Sequence, residues 1–220
     1  MPDAGRDPIR ILRAREREKY DEEYFEHHYW REDLPGRTGN RGLSYNDPEH
    51  KSRFRFLADL LSANVRFRSL VDIGCGLGGL VEVLVQRGYS ASGFDVSKVA
   101  VARASLVAPG RIWRASADAI PLPDRSVDIA FCSDVLEHLL ACDVQAAVSE
   151  LARVASAFVI ATVNLDNPYE YHPTILSRSQ WDAFFLSTGL LRPAEPLRSE
   201  FQCRADDQHP EYDFFAYERI

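Results

Sequence analysis

From Ser69 to Val85 the chain passes from a short apolar stretch, Leu70-Val71, through Asp72-Ile73-Gly74-Cys75-Gly76-Leu77-Gly78-Gly79, into a second apolar stretch of helical length. The economical reading is a buried strand, a glycine turn and the start of a helix. Glycines carry no Cβ, so the backbone turns sharply there and a ligand can approach main-chain N–H groups closely. A nucleotide-like cofactor is therefore the first ligand this stretch suggests.

Downstream the pattern alternates. Strands are expected near 69–73, 91–95, 111–115, 127–132 and 156–163, and helices near 78–87, 97–107, 142–154 and 177–188. Alternation at this spacing predicts a parallel sheet covered on both faces. The tail reads differently. Segments 197–204 and 212–219 are expected as two strands joined by the polar stretch Ala205 to Glu211, forming an antiparallel pair at the sheet edge. Upstream, 9–30 reads as a helix ending in Tyr20, Tyr24, Phe25, Tyr29 and Trp30. A loop with Pro35, Gly36, Gly39, Asn40 and Gly42 follows. Asp47-Pro48 opens a second helix running to about Ala63, with proline at its first position. The expected architecture is a doubly wound α/β domain, Rossmann-like, over 66–220. Its mostly parallel seven-stranded sheet ends in the antiparallel pair, and a helical cap or lid covers 1–65.

Composition narrows the partners. The 220 residues carry a formal net charge of -7, which disfavours broad attraction to nucleic acid or an anionic membrane. Arg10, Arg13, Arg15 and Arg17 alternate with Glu16 and Glu18 and precede more acids, as a solvated helix face does. No apolar run is long enough to span a bilayer, and the N-terminus has no signal-peptide core. Cys75, Cys132, Cys142 and Cys203 form no CxxC pair and read as reduced thiols of a cytoplasmic protein. His27 and His28 are neighbours that cannot share one helix face, so no metal site is expected. Lysine occurs only three times against abundant arginine, a skew that suggests a GC-rich bacterial genome.

In such sheets ligands bind beyond the carboxyl ends of the strands, where strand order reverses. Four features fall there. The glycine turn follows strand 1, and Asp95 in Gly93-Phe94-Asp95-Val96-Ser97 ends strand 2. The distance from the glycines to Asp95, about 20 residues, is that at which an acid bonds ribose hydroxyls. Ser116-Ala117-Asp118-Ala119 follows strand 3, and Ser133-Asp134-Val135-Leu136-Glu137-His138 crosses the end of strand 4. Gly74-x-Gly76-x-x-Gly79 also satisfies the dinucleotide fingerprint, which keeps a nicotinamide-dependent oxidoreductase as a rival.

Taken together, the four features resemble the class I S-adenosylmethionine (SAM) dependent methyltransferases, particularly the small-molecule branch. The resemblance covers about 69–163. It implies that the turn at Asp72, Gly74, Cys75 and Gly76 holds the methionine part of SAM. Asp95, with Val96, would take the ribose, and Asp118 the adenine amino group, with Ala119 giving the ring a backbone donor. The backbone from Ser133 and Asp134 would line the methyl-transfer side. Arg53 is a candidate partner of the cofactor's carboxylate.

A bound sulfonium brings its own electrophile, so the protein must align, desolvate and remove a proton. Histidine is the natural base. His138, after strand 4, and His172, in the polar and aromatic loop after strand 5 with Tyr169, are the candidates. Tyr29 and His28 are candidates from the N-terminal cap, and Arg37 and Arg41 in the glycine-bearing loop for an anionic group. Asn167-Pro168-Tyr169 looks like the tripeptide of amino-methylating nucleic-acid enzymes, but it follows strand 5 instead of ending strand 4, so that role is not carried over. The expected activity is methyl transfer to a small molecule, oxygen preferred, in bacterial secondary metabolism such as antibiotic biosynthesis. An amine or amino-sugar nitrogen is the alternative acceptor. The product would be S-adenosylhomocysteine (SAH), and the cap could support a homodimer.

Overall fold

The computed structural model describes residues 12, 13, 15, 17–25, 48–165, 171–208 and 213–220. Its elements are α1 (Pro48–Asn64), β1 (Ser69–Ile73), α2 (Gly79–Gln86), β2 (Ser90–Asp95), α3 (Lys98–Val107), β3 (Ile112–Arg114) and β4 (Val127–Ser133). A short 3₁₀ turn, Leu136–His138, comes next. Then follow α4 (Ala141–Val154), β5 (Ala155–Thr162), α5 (Arg178–Ser187), β6 (Leu191–Pro193), α6 (Glu195–Gln208) and β7 (Phe214–Arg219).

The seven strands lie in the order β3-β2-β1-β4-β5-β7-β6. β1 pairs parallel with both β2 and β4, so strand order reverses at β1. β7 runs antiparallel to β5 and to β6. The central strands are covered on both faces, and Leu70, Val71 and Ile73 of β1 are all fully buried although they alternate in direction. One layer is formed by α4 and α5. Val144, Ala147, Val148 and Leu151 recur at helical spacing and are fully buried against the sheet. The other layer holds α1, α2 and α6. Leu57, Ala58 and Leu61 share its core with Leu80, Val81 and Leu84. A Cβ at Gly79 would lie 2.3 Å from the Phe54 ring, so the glycine that opens α2 also lets α1 pack closely.

Two expectations need correction. Segment 197–204 is not a strand; it lies inside α6, and the sixth strand is the shorter Leu191–Pro193. Leu197, Phe201 and Ala205 repeat every four residues and turn one face to the core, where Phe201 and Ala205 are fully buried. That helical period outweighed the local strand-like look of the segment. The antiparallel pair still exists, as β6 and β7, but β7 sits inside the sheet and only β6 is an edge. The N-terminal segment is also not one unbroken helix over 9–30. Among its described residues the helix breaks at Lys19, Tyr20 and Asp21 and resumes at Glu22. Asp21 restarts it by accepting from the Tyr24 N–H through its carboxylate.

Candidate functional site

A cleft opens at the carboxyl ends of β1, β2 and β4, and its walls include all four sequence features. At one end lies the glycine turn. The N–H groups of Gly74 and Cys75 both donate to the Phe94 carbonyl, at 2.8 and 3.0 Å, which bends the chain off β1 toward β2. Gly74 has φ of 75°, and a Cβ there would meet Val135 Cγ2 at 2.2 Å. Only glycine fits between that backbone and the loop after β4.

Asp95 closes the turn. One carboxylate oxygen accepts from the Gly76 N–H at 2.9 Å and the other from the Ser97 N–H at 2.8 Å. The cap of α3 is Ser97, whose hydroxyl accepts from the Ala100 N–H. Asp95 is thus not spent as a helix cap. Asp72 and Asp95 are both buried at this turn. Burial pushes the Asp95 carboxyl up to about 6, against the pull of its backbone N–H donors. Burial, together with the negative charge of Asp95, pushes Asp72 up to about 7. The place favours a cation. Cys75 packs in the core beside the turn, and Val96 lines the cleft.

Past β3, Asp118 also lines the cleft. Its Oδ1 is buried with no hydrogen-bond partner among the described residues, and the Arg17 guanidinium stands 3.5 Å away. Ala119 departs from expectation. It is not part of the cleft wall, and its N–H donates to the Ser116 carbonyl at 3.0 Å in a tight turn. After β4, the Ser133 hydroxyl bonds Thr162 Oγ1 at 2.7 Å, and Asp134 takes φ of 53°. Thr162 holds that conformation, accepting from the Asp134 N–H and donating to its carboxylate. Arg53 reaches the cleft from α1, with Nη2 3.5 Å from Asp134 Oδ2.

The other end of the cleft is built around His138 on the 3₁₀ turn. The structure brings His172 against it, ring centroids 4.6 Å apart and edge to face. Burial, helped by His172, lowers the His138 pKa to about 3, so its imidazole is neutral. Nδ1 lies 3.2 Å from the Tyr20 hydroxyl, and the ring also bonds the Tyr171 backbone carbonyl. Glu137, fully buried, accepts from the Asn164 N–H at 2.9 Å. Burial and nearby Asp134 hold its carboxyl well above the usual range. Glu137, His138 and His172 bring ligand-type atoms within 4.8 Å of one another.

Residues 71–157 match the family of methyltransferase domains. Ubiquinone biosynthesis O-methyltransferases of Stutzerimonas stutzeri and Aeromonas salmonicida are each 32% identical over 112 residues. That span is 47% of this chain, and 47% and 46% of the respective relatives; the chain spans about half the length of the curated relatives it matches. Among solved structures, magnesium protoporphyrin IX methyltransferase of Synechocystis with bound SAM superposes with a TM-score of 0.61 at 19% identity. It covers 99% of this chain and 100% of that one. A protein of Pyrococcus horikoshii superposes with a TM-score of 0.63 at 16% identity over 80% of this chain and 93% of that one. At these identities the structural likeness concerns the fold.

The fold therefore gathers Asp72, Gly74, Gly76, Asp95, Asp118, Ser133, Asp134 and His138 on one cleft, with Arg53 from α1 joining them. Tyr29, His28, Arg37, Arg41 and Tyr169 lie outside the described residues. The sequence reading missed Arg13, Arg17, Tyr20 and Tyr24, which all line the cleft. Their spacing of four, three and four reads in the chain as one helix face and was hidden by the interleaved acids, and the four still meet at the cleft although the helix breaks at residues 19–21. Asp143 was missed too; it is buried at the start of α4 and is gripped by the Arg13 guanidinium, with Nε 2.9 Å from both carboxylate oxygens.

Proposed function

We propose that this protein is a SAM-dependent methyltransferase that methylates an oxygen of a small-molecule acceptor in bacterial metabolism. The observation that carries the reading is the buried carboxylate pair Asp72 and Asp95 at the glycine turn. Two carboxylates there repel a pyrophosphate, which a dinucleotide would place against such a turn, and attract a cationic ligand. The residues fit SAM in other respects. Asp95 suits paired ribose hydroxyls, the buried Oδ1 of Asp118, which has the Arg17 guanidinium 3.5 Å away but no hydrogen bond among the described residues, suits an adenine amino donor, and Arg53 suits the carboxylate of the methionine part. Names of the matched relatives agree with oxygen as acceptor.

When bound, SAM supplies a methyl group already activated on a sulfonium. The chain's own tasks are to hold, dry and aim. Val135 closes over Gly74, and Leu136, fully buried, backs the loop that carries His138. His138, which is neutral, and His172 beside it stand at the acceptor end as bases for a hydroxyl. The net charge of -7 supports a small molecule over a nucleic acid as acceptor.

Calorimetric titration of SAH, SAM and NADH into the wild type and Asp95→Ala tests the reading. Binding of SAH and SAM, weakened at least tenfold in the variant, is expected. Binding of NADH alone overturns it.

A further inference from the structure

Tyr20 sits where the N-terminal helix breaks, and contacts with four described residues hold it there. Its backbone carbonyl accepts from the Ser97 hydroxyl, on the residue whose N–H holds Asp95. Its ring meets Tyr24 edge-on at 5.0 Å and Tyr171 at 6.2 Å. Its hydroxyl lies 3.2 Å from His138 Nδ1. The strand end that would hold the cofactor's ribose is thus tied, through one serine, to a phenol at the opposite end of the same cleft.

The direction of the Tyr20–His138 bond follows from the partners. A neutral imidazole has one N–H and one bare nitrogen. A backbone carbonyl only accepts, so an N–H of His138 serves Tyr171; with that N–H on Nε2, Nδ1 offers its lone pair to Tyr20. In that tautomer Tyr20 donates its proton to His138. Toward the cleft its oxygen acts as an acceptor of hydrogen bonds.

We infer that Tyr20 is a catalytic residue, whose oxygen accepts a hydrogen bond from the acceptor's hydroxyl and relays that hydroxyl's proton to His138 Nδ1 during methyl transfer. This rests on the methyltransferase reading above. A lone pair of the acceptor oxygen forms the new carbon–oxygen bond as the carbon–sulfur bond breaks, and that bond's electron pair stays on sulfur. The acceptor's O–H proton passes to the Tyr20 oxygen as the Tyr20 proton passes to Nδ1. The products are an ether, neutral thioether and imidazolium, with the cofactor's positive charge moved onto His138. The weak basicity of His138 suits oxygen. A protonated ether is a strong acid that gives its proton even to a base of pKa about 3, whereas a methylated ammonium does not. The acceptor's ring class follows from the walls. The Tyr20, Tyr24 and Tyr171 rings pack on one another with centroids 5.0 to 6.2 Å apart, and Tyr20 and Tyr24 line the cleft, an aromatic wall suited to a flat hydroxylated aromatic.

Three readings on the full chain test this. Nitrogen NMR of histidine-labelled wild type, with His138→Asn to assign the signal, is expected to show unprotonated Nδ1 at neutral pH, with a resonance that moves in Tyr20→Phe. A protonated Nδ1, or an unmoved resonance, overturns the relay. Catechol titrated into the SAH complex is expected to bind the wild type and to bind Tyr20→Phe about tenfold more weakly. No binding to the wild type, or equal binding, overturns it. Methyl transfer from labelled SAM to catechol is expected to fall in kcat by about 100-fold or more in Tyr20→Phe while SAH affinity stays within twofold. An unchanged kcat overturns it. Failure of SAH to bind the wild type would instead sink the methyltransferase reading and leave the hydrogen-bond direction to the NMR.

Discussion

The two ends of the cleft are made by different means. The end at β1 and β2 is local and mostly backbone: Gly74, Gly76, Asp95 and Ser97 lie within 24 consecutive residues and hold one another through N–H groups. The end at His138 is remote and made of side chains. Tyr20 meets His138 across 118 positions of sequence, and Arg13 meets Asp143 across 130. A backbone-built end tolerates little change in shape but is written in a contiguous motif. A side-chain end can change its ligand by single substitutions and is written nowhere in particular.

The sharpest way to break the contrast is Gly74→Ala. Left-handed backbone costs an alanine about 1–2 kcal/mol, and displacing Val135 adds about 1–3 kcal/mol. Lower thermal stability and loss of SAH binding are expected together. If both survive, the turn is not the rigid element described. Next in size is Asp95→Ala. Losing hydrogen bonds to a charged group costs about 1.5–3 kcal/mol each, so SAH binding should weaken by about 10- to 100-fold. The acceptor-end variant His138→Asn should leave that affinity nearly unchanged, and a large loss there would merge the two ends into one.

pH sharpens the comparison further. The carboxyls of Asp72 and Asp95 are raised from 3.8 to about 7 and about 6, so the folded chain holds more protons than the unfolded chain between roughly pH 4 and 7. Their contribution to stability is greatest at the acidic side and declines as pH rises through that window. Urea midpoints should drop from pH 5 to 7.5, and less so in Asp95→Asn. SAH binding should run the other way, tightening over the same range because its hydroxyls donate to the ionised Asp95.

Smaller effects are expected from helices that brace the cleft. Arg53→Ala should raise the SAH dissociation constant by about 2- to 10-fold, equivalent to about one hydrogen bond. An unchanged constant would remove the cofactor's carboxylate as a partner of Arg53. Ser97→Ala removes the cap of α3 and the donor to the Tyr20 carbonyl, and should cost about 1 kcal/mol in denaturant unfolding. A loss of that size with no effect on catechol binding would mean that the serine does not position Tyr20.

The chain by itself specified the α/β alternation, the glycine turn and the positions of Asp95, Asp118 and the loop after β4. Each is a local pattern whose geometry follows from backbone conformation, apolar period and strand ends. Periodicity in the tail was equally legible once Leu197, Phe201 and Ala205 are counted by fours, but 197–204 also carries apolar residues that pass for a short strand. Tertiary structure alone decided which remote side chains complete the cleft. Nothing near Tyr20 in sequence marks it out from Tyr24 or Tyr29. The break at Asp21, the Ser97 hydroxyl and the neutral His138 select it, and these come from three segments that meet only because β2 and β4 flank β1 in the sheet. Long-range selection of this kind depends on distance and burial in the folded molecule, which no local pattern encodes.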